Sequence, residues 1–365
     1  MSKTFLGNVA RERKEQCKSG KDAFHSVGLE HLIPQDINLT MWNERTENNF
    51  TKMFHMGDIL FGRRNAYLKK AVIAPFDGIC SPDITVMEAI KDEIDSELLP
   101  FVIQNNDFFD YAIMHSAGSM SPRVKWDDLK KYEFTLPPLS KQKKLASLLW
   151  SIETTIRTYK SLLLKMDELV KSEFIKLFKN TIRKELSELA IITMGQSPSS
   201  ISYNTKKTGI PFFQGKTEFG EKYVSIKWYC SSPKRIANAG DILMSVRAPV
   251  GCVNITPEYC CIGRGLASIR GKKDRMHNDY LFYALRIIEN DIASIGQGAT
   301  FKAINKEQLY KILIPDVPLS LQQQFADFTQ QTDSSKQQIQ QSIDNLNIMS
   351  KALIHKYLVC GDKNV

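Results

Sequence analysis

The sequence predicts an α/β (α+β) protein of two tandem globular domains separated by two long antiparallel coiled-coil helices, related by a pseudo-two-fold repeat. Three observations predict it. The tetrapeptide GDIL occurs at Gly57–Leu60 and again at Gly240–Leu243. The blocks around it recur in the same order: "FLGNVA" at Phe5–Ala10 precedes "ELSELA" at Glu185–Ala190 by 180 positions, and "DDLKKYEFTLPPLSKQKK" at Asp127–Lys144 precedes "EQLYKILIPDVPLSLQQQ" at Glu307–Gln324 by the same offset. Each second block then opens a long helix-like stretch. A period near 180 residues is a domain's length and not a solenoid repeat.

Each repeat divides in two, giving a globular domain over 1–139, a long helix over 140–182, a second globular domain over 183–319 and a second long helix over 320–359. The globular parts carry short β-like runs bounded by Gly, Pro and Asn, such as "DILFG", "KAVIAPF", "DILMSV" and "GCVNIT", with helix-like pieces such as His277–Asn290 between them. Prolines mark the stops "LPPLS" at Leu136–Ser140 and "DVPLS" at Asp316–Ser320, and the serine of each is the expected N-cap.

The first long helix follows a strict alternation of four and three through Leu145, Leu149, Ile152, Ile156, Tyr159, Leu163, Met166, Val170, Glu173 and Leu177, with no proline or glycine from Ser140 to Arg183. That is a coiled-coil seam. About 40 residues at the helical rise make a rod of roughly 60 Å. The second seam is polar early (Phe325, Thr329, Thr332, Lys336) and mostly apolar late (Ile339, Ile343, Leu346, Ser350, Leu353, Tyr357). Its Gln-rich part, "TQQTDSSKQQIQQ", is expected to be a solvated face or a seam that another chain covers. Packing the two helices on each other buries both stripes.

Composition excludes several classes. At 42% hydrophobic and 24% charged, the 365 residues can fill two cores. No apolar run is long enough to span a membrane, and "MSKTFLGNVARERK" lacks a signal peptide's apolar stretch. The expected location is therefore the cytoplasm. Seven cysteines without a CxxC pair argue against a disulfide framework and a zinc ribbon, and Cys260 and Cys261 read as small buried hydrophobes. The formal net charge of +9 suits a phosphate-binding surface.

No catalytic or metal centre is expected. There is no P-loop, no HExxH and no GxSxG elbow. "GRG" at Gly263–Gly265 and "GQG" at Gly296–Gly298 lack the full spacing of nucleotide loops, and read as turns. "PDITVMEAIK" at Pro82–Lys91 has ExxK spacing where a nuclease cluster has ExK, so it reads as a strand end followed by a charged helix.

The binding candidates are basic. After the first GDIL, "FGRRNAYLKKA" sets Arg63, Arg64, Lys69 and Lys70 on a loop; after the second, "MSVRAPVG" sets Arg247 at the position of Arg64. Arginine on a loop after a strand meets phosphates or reads guanine edges; a solvated basic turn is the alternative. Arg123, Lys125, Gln196, Ser197, Arg264 and Lys302 are further candidates, each individually also an ordinary surface residue. Arg11, Arg13, Lys14, Lys18 and Lys21 read as a phosphate-facing stretch or as a helix face.

These features together resemble the DNA-specificity subunits of type I restriction–modification systems. The resemblance spans essentially the whole chain. It rests on the tandem repeat, the GDIL-plus-basic-loop segments, "GQSPSS" at Gly195–Ser200, "GIPFFQG" at Gly209–Gly215, "IGRGLASIRG" at Ile262–Gly271 and "IPDVPLSLQQQ" before the last helix. It implies two α/β target-recognition domains, each reading one half of a split double-stranded DNA target, with the helices holding the gap. It implies a non-catalytic subunit that joins two methyltransferase (modification) subunits and, in the nuclease, restriction (translocase/nuclease) subunits. S-adenosylmethionine, ATP and Mg are then expected on those partners and no cofactor on this chain. Exposed apolar positions such as Phe174 and Phe178 are expected to meet methyltransferase helices. "EQCKS" at Glu15–Ser19 stands where the first repeat should match "GQSPSS", so the two domains are expected to be of different subtypes. A coiled-coil scaffold that binds only proteins, and a stand-alone restriction or modification enzyme, are the alternatives.

Overall fold

The computed structural model describes residues 2–44, 49–296 and 303–359. The chain forms two compact units, 1–160 with 340–365, and 161–339.

In the first unit, Ala10–Glu12, Ile84–Ala89, Ile59–Gly62 and Ala71–Ile73 form an antiparallel four-stranded sheet in that order. Its central strand is buried on both faces. Ile59 and Phe61 pack with Phe108 and Phe109 of the helix Asn106–Met114, whereas Leu60 packs with Val72, Val86 and Phe54. Alternation of side chains across a strand produces this split, and a strand covered on both faces must be apolar throughout. A smaller sheet pairs His25–Val27 parallel, and Lys52–Phe54 antiparallel, to Gly78–Cys80. Ser2–Phe5 pairs with Glu133–Leu136 and closes the unit.

The second unit repeats this plan. Ala190–Met194, Leu266–Gly271, Ile242–Ser245 and Val253–Ile255 form the equivalent sheet, and Arg183–Glu185 pairs with Leu313–Pro315. Ile242 and Met244 face one cluster and Leu243 another. The second sheet differs: beside the parallel pair Ile210–Phe213 and Cys260–Ile262 it adds Trp228–Cys230 and Tyr203–Asn204.

The duplicated tetrapeptide has a physical reason in each unit. Gly57 (φ 91°) and Gly240 (φ 82°) turn the chain through the left-handed region that favours glycine. Asp58 and Asp241 are buried, and each accepts from an arginine. Arg13 reaches Asp58 through Nε (2.7 Å) and Nη2 (3.2 Å) and also meets Glu88 at 2.6 Å. Arg270 Nε donates to Asp241 at 2.5 Å, and Ser268 Oγ adds a second donor. Thus Arg13 belongs to a half-buried ion-pair network around the buried Asp58, beside a strand, and is neither phosphate-facing nor on a helix. Arg11 likewise pairs with Glu88. In "PDITVMEAIK" the expected strand end is present as the strand Ile84–Ala89, which the run Ile84-Thr85-Val86 favours, but a turn at 91–93 and not a charged helix follows it.

The long helices are Leu139–Phe178 and Leu319–Leu358. Both begin one residue before the serine expected to cap them; instead the carbonyl of Pro138 accepts from the N–H of Lys141 (2.8 Å), and that of Pro318 from Leu321 (3.0 Å). Within the first unit, Leu145, Ala146 and Leu149 pack with Leu358, flanked by Leu353, Ile354 and Tyr357. Within the second, Phe174 and Phe178 meet Phe325 while Asp167 meets Lys336, so there the two helices run antiparallel. Of the seam, Leu145, Leu149, Ile152, Ile156, Val170 and Ile343 are buried; Tyr159, Leu163, Met166, Leu177, Ile339, Leu346 and Leu353 are half-buried.

Two expectations about these helices are corrected. Phe174 and Phe178 are not exposed: they are buried against Tyr280 and Phe325 in the core of the second unit. The polar early seam is covered within this chain and not by another, while Gln330, Gln331, Gln337, Gln340 and Gln341 of the same stretch form the expected solvated face. Thr329 and Thr332 donate to their own helix carbonyls at Ala326 and Phe328, and the buried Lys336 pairs with Asp167. Local hydroxyl–carbonyl bonds and an ion pair let polar side chains occupy a seam without orphaned groups. The six described cysteines are free and buried, Cys260 and Cys261 among them as expected; burial pushes the Cys80 and Cys260 thiols up to about 12.

One buried glutamine joins each helix start to its globular part. Gln142 accepts from the Asp95 N–H (2.8 Å) and donates to Pro137 O (3.0 Å); Gln322 accepts from the His277 N–H (2.8 Å) and donates to Val317 O (2.8 Å) and Arg275 O (3.0 Å). Truncating a buried hydrogen-bonding side chain leaves its partners unsatisfied, so Gln142→Ala and Gln322→Ala should each cost about 1–3 kcal/mol in denaturant unfolding, while the exposed Gln341→Ala should cost nearly nothing. Equal costs for all three would contradict the anchoring role.

At the turn before Asp58, His55 lies 3.0 Å from both Asp77 and Glu15, and these hydrogen bonds raise its pKa. A raised folded value makes the stabilisation fully present below the ordinary His pKa of ~6.5 and removes it as pH climbs through the folded value. His55→Asn should therefore destabilise the protein more at pH 6 than at pH 9, as thermal unfolding at the two pH values would show.

Candidate nucleic-acid interface

In the first unit the loop after Ile59–Gly62 is held by backbone bonds at both ends. The Arg63 N–H donates to Asp83 O (3.0 Å), the Asn65 N–H to Pro122 O (2.8 Å), and the Gln35 N–H to Lys69 O (3.0 Å). Asn65 (φ 55°) and Lys69 (φ 51°) flank the 3-10 turn Ala66–Leu68 in left-handed conformations that ordinary residues seldom adopt. The loop is thereby a defined shape and not a solvated tether. Tyr67 at its tip is exposed.

The structure brings Arg63, Arg64 and Arg123 together. Arg64 forms a backbone bridge with Arg123, and Val124 donates its N–H to Arg63 O (3.1 Å). Asp83 stands between the guanidinia. Arg123 donates to it through Nε (2.7 Å) and Nη2 (3.1 Å), and Arg64 Nη1 lies 3.7 Å away. The Arg123 hydrogen bond holds the Asp83 carboxyl below its usual range, so it is ionised at neutral pH. The Nε of Arg63 is buried and has no hydrogen-bond partner among the described residues. Lys125 is exposed at the start of the short helix Trp126–Leu129. The two lysines are turned elsewhere: Lys69 Nζ donates to Asn106 Oδ1 (2.8 Å), and Lys70 Nζ to Leu29 O (2.7 Å).

The second unit builds the corresponding corner. Arg247 forms a backbone bridge with Ala303, as Arg64 does with Arg123. Val246 N–H donates to Gly265 O (2.9 Å), and Ser197 Oγ accepts from the Arg264 N–H (3.1 Å). Ser197, Arg247 and Arg264 thus lie on one loop cluster, with the exposed Gln196 next to Ser197. A Cβ at Gly195 would stand 2.1 Å from Gly263 O, so the first glycine of "GQSPSS" permits the close approach of these two loops. Arg247 and Arg264 are exposed and make no ion pair among the described residues. Lys302 and most of "GQG" lie outside the described residues.

Three residues were not legible as candidates. Asp83 stands in "PDITVMEAIK", which reads as a strand end, and the ExxK spacing there points away from a nuclease cluster and suggests no other role for it. Tyr67 carries no signal beyond its basic neighbours. Gln16 did carry one: it stands 180 positions before Gln196, within "EQCKS". It accepts from Thr51 Oγ1 (2.6 Å) and lines a recess of about 380 Å³ with Lys14, Asn49, Thr51, Lys52 and Pro82. Among the described residues no group of His, Cys, Asp and Glu is placed to hold a metal ion, and no helix is long and apolar enough to cross a membrane.

The architecture defines a tandem-repeat protein that presents a basic, backbone-braced loop once per unit beside an antiparallel sheet. Residues 10–165 and 180–346 each match the type I restriction modification DNA specificity domain, and the chain belongs to that family. It is 33% identical over 300 residues to a putative type I restriction enzyme specificity subunit, MjaX, of Methanocaldococcus jannaschii, covering 74% of this chain and 70% of the relative. A chain solved in connection with complex assembly and conformational transition of the type I R-M system is 26% identical, with a TM-score of 0.65 over 97% of this chain and 96% of that one. The S subunit of a type I restriction–modification system from M. genitalium shares the fold at 13% identity, with a TM-score of 0.61 over 99% and 96%. The family makes this chain a DNA target-recognition component of a restriction–modification complex, and not its catalytic subunit.

Proposed function

We propose that each unit reads one half of a split duplex target and that the two long helices set the gap between the halves. The observation that carries this reading is the repeated corner: an exposed arginine, Arg64 or Arg247, follows the same Gly-Asp turn and strand, and is bridged to the same downstream loop in both units. A repeat that conserves the mount while changing the side chains around it suits two readers of unlike sequences. The buttressing aspartate is present in the first corner; a glycine, Gly265, takes the matching backbone place in the second.

The helices suit a ruler. Each is one unbroken 40-residue element, and helical rise is fixed by the backbone hydrogen bonds. Leu162, Leu164, Leu169 and Ile348 remain exposed on them and, in place of Phe174 and Phe178, are the apolar positions offered to two methyltransferase subunits. Those subunits would carry S-adenosylmethionine, and restriction subunits would bring ATP and Mg. The assembly would act on chromosomal or incoming DNA in the cytoplasm.

Arg64→Ala or Arg247→Ala should weaken binding of the assembled complex to its own target by ~1–3 kcal/mol if the residue meets a base, or lower the slope of log affinity against log salt by about one if it meets a phosphate. Salt-titrated electrophoretic shifts separate the two, and no change in either removes that residue from the interface. Deleting one heptad within 151–171 should change the gap allowed between half-sites; selection on duplexes of varied spacing that returns the original gap would contradict the ruler. A protein-only scaffold would show no sequence preference in either experiment.

A further inference from the structure

We infer that Asp83 is a positioning residue that presents Arg123 to a guanine edge in the half-site read by the first unit. This rests on the proposal that the unit reads DNA, and deepens it by naming the base class and the residue pair.

The argument begins with the faces of the guanidinium. Asp83 takes Nε (2.7 Å) and Nη2 (3.1 Å) of Arg123 in a bidentate pair, which occupies the side-on edge. Nη1 donates weakly to Ser121 O at 3.4 Å. One N–H on Nη1 and one on Nη2 remain, the end-on fork that matches guanine O6 and N7. Exposure follows the same direction: the side chain of Arg123 is 43% accessible and that of Asp83 is 21%. The acid is the inner member and the fork the outer one.

The mount is stiff on both sides. The Asp83 N–H donates to Ser81 Oγ (3.2 Å), and its carbonyl accepts from the Arg63 N–H (3.0 Å). Arg123 is fixed by paired backbone bonds with Ala117 (2.9 and 3.0 Å), and Val124 beside it is bonded to Arg63 O. Loss of rotamer freedom has therefore already been met before DNA arrives, which favours discrimination over general attraction. Arg64, 3.7 Å from the same carboxylate and hydrogen-bonded to Ser121 Oγ (3.2 Å), flanks the fork and suits a neighbouring phosphate. The carboxylate lowers the net charge of the corner, so its presence opposes nonspecific attraction to DNA. Retaining it makes sense where selectivity matters more than affinity.

The test uses the full chain assembled with its modification subunits and a pool of duplexes randomised over the target. Wild type should select a two-part motif with a guanine at one position of the first unit's half. Arg123→Ala should lose preference at that position alone by about 5- to 150-fold. Asp83→Asn should lose the same preference while binding to unrelated duplex strengthens and its salt dependence steepens, since one negative charge is gone; a merely structural loss would weaken both. The double variant should be no worse at that position than Arg123→Ala. The inference is overturned if Arg123→Ala weakens every duplex equally with a shallower salt slope, or if Asp83→Asn leaves the preference intact. Should wild type select no motif at all, the reading of the unit as a DNA reader fails first, and the pair's role falls with it.

Discussion

Everything in each unit hangs on how a flexible-looking basic loop is made rigid. The constraint is a buried acid at the mouth of the central strand. Asp58 and Asp241 cannot be left unpaired in a nonpolar interior, so each draws an arginine and backbone N–H groups around itself. The glycine before it supplies the left-handed turn, and the two hydrophobes after it bury opposite faces of the strand. What emerges at the far end of that strand is the corner that carries Arg64 or Arg247. A tetrapeptide is thus enough to explain why the segment is duplicated: it is the mount, and the reading residues are the variable part.

The same economy operates at the helix starts. Gln142 and Gln322 are repeat partners with buried amides that bond backbone groups on both sides of the junction. Hydrophobic packing alone would let a helix rotate on its unit; two directional hydrogen bonds at one end do not. The seams can then differ. Leu149, Ile152 and Ile156 of the first helix correspond to Thr329, Thr332 and Lys336 of the second, and both sets are buried. The first set is held by area removed from water, the second by local hydroxyl–carbonyl bonds and the Lys336–Asp167 pair.

The repeat, the strand positions around GDIL, the two long helices and the matching loop places of Arg64 and Arg247 were legible in the sequence because they rest on short patterns: alternation, heptads and turn residues; that Arg123 and Asp83 join the first loop was not. What was not legible depends on contacts distant in the chain. Arg13 looked like part of a basic surface stretch until Asp58 and Glu88 were brought to it. Phe174 and Phe178 lie beside the heptad seam and looked free for a partner, but the second unit covers that side with Tyr280. Lys336 signalled solvent by type and is buried by its pairing. In 82–91 the β-branched run made the strand end legible, but Glu88 and Lys91 suggested a helix where the strand runs on to Ala89 and a turn follows. Gln16 was hidden by the mismatch of its neighbours to "GQSPSS", though its own offset agreed with Gln196.

The most direct measurement is the methylated motif in cells that carry this chain with its modification subunits, set against the same cells lacking the chain. The account predicts a two-part motif with a gap of constant length that vanishes when the chain is removed. An unchanged pattern of methylation, or a single uninterrupted motif, would contradict it.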